Sequence, residues 1–129
     1  MTDNNTALGV RRTVATRKDT AEFLLEQLSG LEEVRARRMF GEYGIYVGDR
    51  FVAVVCDDDL FVKPTQAGRN YFSGFIERAP FPGARPWLLV PGEVWDDREW
   101  LVELFRVSAE ELPPVKVKVR KKGVLPGRG

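Results

Sequence analysis

Apolar and polar positions are patterned most tightly between Arg38 and Pro64, RMFGEYGIYVGDRFVAVVCDDDLFVKP. Two breaks divide this stretch, Gly48-Asp49 and Asp57-Asp58. A Gly-containing pair between β-rich runs favours a two-residue hairpin turn, because Gly tolerates the positive φ of primed turns, and Asp57-Asp58 is likewise a turn-forming pair. The reading is three strands joined by two tight turns. The first turn sets Val47 against Arg50, Tyr46 against Phe51, Ile45 against Val52 and Tyr43 against Val54. The second sets Val55 against Leu60, Val54 against Phe61 and Ala53 against Val62. Side chains alternate between the faces of a strand. One face is then expected to hold Tyr46, Phe51, Ala53, Val55, Leu60 and Val62. The other is expected to hold Tyr43, Ile45, Val52, Val54 and Phe61, with Arg50, Cys56 and Lys63 toward its margins. Neither face is polar at its centre, whereas a sheet with one wet face shows a polar side.

Helical periodicity flanks the sheet. Ala21, Leu24, Leu25 and Leu28 recur at the spacing of an amphipathic helix, with Thr16 and Asp19 as a capping pair and Ser29-Gly30 as its end. Val34 to Arg37 alternates like an edge strand. Thr65 caps a short helix running to about Phe72, with Ala67, Tyr71 and Phe72 inward and Gly68 weakening it. An extended piece is expected around Glu77 to Phe81, then a strand from Pro86 to Val90 stopped by Pro91-Gly92. Asp96 is the expected cap of the last helix, with Glu99 as its capping-box partner. Its inward stripe is Trp100, Leu101, Leu104 and Phe105, and it ends before Pro113-Pro114. The resulting class is α+β, two layers, an antiparallel sheet with helices on one face.

Length and charge refine this picture. A chain of 129 residues forms one domain with a real core. The expected division is a disordered lead over 1–15, a domain over 16–112 and a basic tail over 113–129. Residues 1–112 carry fourteen Lys/Arg against nineteen Asp/Glu, and the tail carries six Lys/Arg and no acid. The chain has no apolar run of bilayer length and no signal-peptide core, so a cytoplasmic protein without membrane contact is expected.

The candidate chemistry is sparse. There is no histidine, which removes the usual general base, the Ser-His and Cys-His nucleophile pairs and the commonest transition-metal ligand. The single Cys56 cannot form an internal disulfide, and its acidic neighbours Asp57, Asp58 and Asp59 disfavour a reactive thiolate. Those aspartates lack the ligand pattern of a calcium loop and read as a turn. Trp87, Trp95 and Trp100 read as core and rim, against the alternative of a stacking surface. Arg35, Arg37 and Arg38 either guard an edge strand against unwanted pairing or form a phosphate-binding cluster. The tail, PPVKVKVRKKGVLPGRG, reads as solvated or loosely docked, against the alternative of a nucleic-acid arm. No catalytic, cofactor or metal residues are expected, and the chain does not read as an enzyme.

The run Arg38-Met39-Phe40-Gly41-x-Tyr43-Gly44-Ile45-Tyr46-Val47, then Phe51 to Val55, then Leu60 to Pro64, resembles the N-terminal domain of the TfoX/Sxy family, named for regulators of natural competence. The resemblance spans about Thr16 to Ala109. Gly41-Glu42 stands where that family usually has two glycines, and Pro91-Gly92 where it tends to have two tyrosines. The resemblance implies an antiparallel sheet with helices on one face, similar in outline to secretion-chaperone-like domains. It carries over no catalytic residues.

Two functions from different classes follow. The first is a regulatory interaction module, binding another protein or a second copy of itself. Its contact surface is the sheet face that the helices cannot reach, expected at Tyr43, Ile45, Val52, Val54 and Phe61, unless the lead or the tail folds over it. The second is nucleic-acid binding through Arg35, Arg37 and Arg38 with Lys116, Lys118, Arg120, Lys121 and Lys122 of the tail.

Overall fold

A computed structural model describes residues 18–39 and 41–115. The chain order is α1 (Lys18–Gln27), β1 (Val34–Met39), β2 (Glu42–Val47), β3 (Arg50–Cys56), β4 (Asp59–Val62), α2 (Gln66–Tyr71), β5 (Ile76–Arg78), β6 (Trp87–Val90), a 3-10 turn (Gly92–Val94) and α3 (Arg98–Glu111). The strands form one six-stranded antiparallel sheet in the order β1-β2-β3-β4-β6-β5. The two-layer α+β architecture expected from the sequence is present. Arg38 and Met39 belong to the edge strand β1, which turns through Gly41 (φ 83°) into β2. The central stretch is therefore four strands and three hairpins.

Local chemistry accounts for the turns. Gly48 takes φ of 60° between β2 and β3, and Asp57 and Asp58 take 56° and 64° between β3 and β4. Positive φ at both central residues marks Asp57-Asp58 as a type I′ turn, whereas Gly48-Asp49 has it at the first residue alone, as type II′ allows. The β3–β4 register is the expected one, Val55 against Leu60, Val54 against Phe61 and Ala53 against Val62. The β2–β3 register is not. Val47 meets Arg50 and Tyr46 meets Phe51, but then Ile45 meets Ala53 and Tyr43 meets Val55. Val52 is the extra residue of a β-bulge. A turn fixes the pairs nearest to it, and a bulge beyond them exchanges the faces of everything further out.

The main core lies between the sheet and the helices. Tyr43, Ile45, Val52, Ala53, Val55, Leu60, Val62, Leu88 and Val90 pack there against Ala21, Leu24, Leu28, Leu101, Leu104 and Phe105. Three polar side chains at the joints are paired. Buried Gln27 donates through Nε2 to the Trp95 carbonyl at 2.8 Å and accepts from Arg98 Nε at 3.3 Å. Tyr71 donates to the Trp100 carbonyl at 2.9 Å. Thr20 donates to Asp58 Oδ1 at 2.9 Å, tying α1 to the β3–β4 turn.

Several boundaries differ from the expected ones. The α3 cap is Asp97, not Asp96, and accepts from the Trp100 amide at 3.2 Å. The 3-10 turn after Pro91 carries the chain far enough that the next aspartate reaches the helix N-terminus. The strand expected at Glu77 to Phe81 is β5, Ile76–Arg78. Thr65 caps α2 as expected, accepting from the Gly68 amide at 2.9 Å. Gly68 is a packing residue, since a Cβ there would stand 2.9 Å from Thr65 Oγ1 and 3.1 Å from Ser108 Oγ. The expected Thr16 cap and the basic tail from Lys116 onward lie outside the described residues.

Candidate functional site: the helix-free face of the sheet

The second face of the sheet has no described helix packed on it. At its centre are Val54, Cys56 and Phe61, with Met39, Phe51, Trp87 and Leu89 half-buried around them. The five residues expected to form this surface divide between the two faces. Val54 and Phe61 are here, whereas Tyr43, Ile45 and Val52 lie in the main core under the helices. The bulge at Val52 is the reason. It also moves Tyr46 and Phe51 the other way, out of the expected core and onto the helix-free face.

These two rings begin an aromatic ridge. Tyr46 and Phe51 stack with centroids 4.9 Å apart, and Phe51 meets Trp87 edge-on at 5.9 Å. Gly44 makes room for it, because a Cβ there would come within 3.0 Å of the Phe51 ring and 3.2 Å of Met39 Cε. Cations lie over the rings. Arg35 sits 4.5 Å from the Tyr46 centroid, Lys63 4.7 Å from Phe51 and 5.9 Å from Trp87, and Arg78 5.6 Å from Phe61. Cation–π contact of this kind holds a charged group in place without neutralising it. Burial against the ridge pulls the Lys63 ammonium below its ordinary pKa.

The charges divide into paired and unpaired sets. Arg50, Arg69, Arg78, Arg98 and Arg106 each meet a carboxylate. Among the described residues no carboxylate pairs with Arg35, Arg37, Arg38, Lys63 or Arg85. Alternation along β1 places Arg35 and Arg37 on the helix-free face, opposite Tyr46 and Gly44. Arg38 lies on the other side, 5.7 Å from the Tyr43 centroid and donating to its hydroxyl at 3.4 Å. The three arginines expected as one cluster are thus two on one face and one on the other. The acids on the helix-free face are engaged. Asp59 accepts from Arg78 at 3.2 Å, and Glu42 Oε1 accepts from the Asp57 amide at 3.1 Å. Burial raises the Asp59 pKa, opposed by Arg78.

A shallow apolar pocket of about 430 Å³ opens at one end of this face, lined by Met39, Glu42, Val54, Cys56 and Phe81. The Cys56 thiol within it is pushed up from 9.0 to about 11, first by burial and then by Glu42 and Asp57. A nucleophilic thiol needs the opposite shift. Among the described residues no group of three or more His, Cys, Asp or Glu is placed to hold a metal ion. No described helix is long and apolar enough to cross a membrane.

The three tryptophans do not share a surface. Trp87 is on the ridge, whereas Trp95 and Trp100 pack on the helical side. Trp100 stands in an aromatic group with Tyr71, Phe72 and Phe75.

Residues 26–112 match the family model of the TfoX N-terminal domain. The chain belongs to the TfoX N-terminal domain family. It is also 36% identical over 116 residues to an uncharacterized 12.7 kDa protein in the trpE 5' region of Spirochaeta aurantia, across 88% of this chain and 100% of that protein. Within the matched range, Arg38 to Pro64 contribute to both faces of the sheet: the core-facing Tyr43 and Ile45, and the ridge residues Tyr46, Phe51 and Lys63.

Proposed function

We propose that this TfoX-family domain is a non-enzymatic, cytoplasmic binding module that docks an acidic surface of another protein on its helix-free sheet face. One observation carries the reading. Arg35, Arg37 and Lys63 converge on that face without carboxylate partners, two of them stacked on the ridge formed by Tyr46, Phe51 and Trp87. Cations held in place over aromatic rings lose little further freedom when an anionic partner arrives. The half-buried Phe51, Trp87 and Leu89 beneath them supply apolar contact area of the kind that anchors interfaces.

The same charges oppose a face-to-face homodimer, which would bring the arginines and lysine of both copies into one interface. The net negative charge of the rest of the domain works against a long phosphate backbone running past this face, and less against a local acidic patch on a protein. The ridge is capped by its own cations, and Arg38 turns away from it.

Affinity capture by tagged full-length chain from the native cell tests the reading. Capture of a specific protein should weaken between low and physiological salt and disappear with Lys63→Glu or Arg35→Glu at unchanged thermal stability. Salt-insensitive capture that both variants retain would reject the proposed face. Preferential retention of nucleic acid by the same residues would reject the protein partner.

A further inference from the structure

The outer edge of β1 adds a directional recognition pattern to this face. Among the described strands β1 lies at an edge, bonded to β2 on one side. An open edge presents a row of unpaired N–H and C=O groups and invites another strand. Proteins commonly keep such edges very short. The opposite edge obeys this, since β5 spans Ile76–Arg78, but β1 spans Val34–Met39.

The side chains of β1 choose among incoming strands. Arg35 and Arg37 project from one face, separated by two residues and hence about 6–7 Å along the strand. Both are exposed and neither has a carboxylate partner among the described residues. Arg35 is steadied by its stack on Tyr46 at 4.5 Å. The alternate residues Val34 and Ala36 turn toward the main core and are partly buried against it. A second copy of β1 laid on this edge would set arginine against arginine, which is destabilising for directly opposed like charges. A strand with acids at alternate positions would set a carboxylate beside each guanidinium, in reach of a bidentate pair. Its intervening residues would extend the apolar side formed by Val34 and Ala36.

We infer that an extended acidic segment of the partner adds to β1 as a further antiparallel or parallel strand, with two carboxylates spaced i, i+2 over Arg35 and Arg37. This rests on the acidic-partner reading of the helix-free face and adds the mode of entry. The arginines then have two effects: they exclude self-pairing at the edge and select the charge pattern of the strand that is admitted.

Random heptapeptide display against the full-length chain, and against its Arg35→Glu/Arg37→Glu double variant, tests the pairing. The native chain should enrich acid-x-acid sequences, and the double variant should enrich Lys or Arg at the same spacing. An enriched acidic peptide, titrated into isotope-labelled full-length chain, should shift the backbone amides of Val34–Met39 and slow their hydrogen exchange. Its affinity should fall about tenfold or more with Arg37→Glu alone, in line with loss of a close charge pair. If acidic peptides bind but perturb Phe61 and Leu89 while the β1 amides stay unchanged, strand addition is wrong and the acidic-partner reading survives. If neither protein selects for charge, or if a labelled oligothymidylate binds the arginines in preference to every peptide, both are wrong.

Discussion

Tyr46 stacks on Phe51 at 4.9 Å on the helix-free face, while the adjacent pair, Ile45 and Ala53, is buried beneath the helices. One residue without a register partner on β2, Val52, produces that arrangement. Without it, Ile45 and Tyr43 would lose their core positions and the aromatic ridge would break at Phe51. The bulge therefore joins the stability of the domain to the composition of its candidate working surface.

The first prediction concerns this register. Val52 is fully buried and Phe51 is half-buried on the opposite face. Val52→Asp places an unpaired charge in the main core and should abolish cooperative unfolding or lower stability by more than about 3 kcal/mol. Phe51→Asp should leave a folded protein, destabilised by about 1–2 kcal/mol from lost ring contacts. Thermal and urea unfolding of the two variants measure the difference. Equal effects would mean that the two residues are not on opposite faces.

A second prediction sets packing against helix propensity. Gly→Ala in an exposed helix normally stabilises by about 1 kcal/mol. At Gly68 the added methyl meets the Thr65 and Ser108 hydroxyls at 2.9 and 3.1 Å. Gly68→Ala should therefore destabilise, by about 1 kcal/mol or more, as the Thr65 cap is displaced. Urea unfolding gives the sign directly.

Ser108 supplies the companion case. Its hydroxyl is fully buried and has no hydrogen-bond partner among the described residues. Removing an unsatisfied polar group while keeping the packing is close to neutral or favourable. Ser108→Ala should leave stability unchanged or raise it by up to about 1 kcal/mol in the same assay.

Much of the fold was legible from local chemistry. The helical stripe at Leu24 and Leu28, the aspartate turn, the Thr65 cap and the β3–β4 register each depend on residues close in sequence, and each is present. The candidate surface depends on longer-range geometry. Val52 has no turn residue or polarity change to mark it as a bulge, since it sits in the uniformly apolar run Phe51 to Val55. Counting outward from Gly48-Asp49 is therefore right for two pairs and wrong beyond them. The arginine run was visible, but its division between Arg35 and Arg37 on one side and Arg38 on the other follows from strand alternation. Gly44 was the one available hint, since a glycine inside a strand often marks a close approach by another group.

The fourth prediction is a pH dependence. The Cys56 thiol rises from 9.0 to about 11 in the folded protein because burial disfavours the thiolate. A raised folded-state pKa contributes stability below the unfolded value, and that contribution is lost as pH climbs through the folded value. The stability of the native chain relative to Cys56→Ala should thus be flat between pH 7 and 8 and decline from about pH 9 toward 11. Urea midpoints of the two proteins across that range isolate the thiol from the tyrosines and lysines that titrate alongside it.

The proposed working surface is the helix-free face. Site-specific photo-crosslinking in the native cell tests it most directly, with a benzoylphenylalanine placed at Leu89 on that face or at exposed Phe23 on α1. A discrete adduct with a second protein should form from position 89, vanish when Lys63→Glu is added, and be absent from position 23. Adducts from position 23 with none from position 89 would contradict the account.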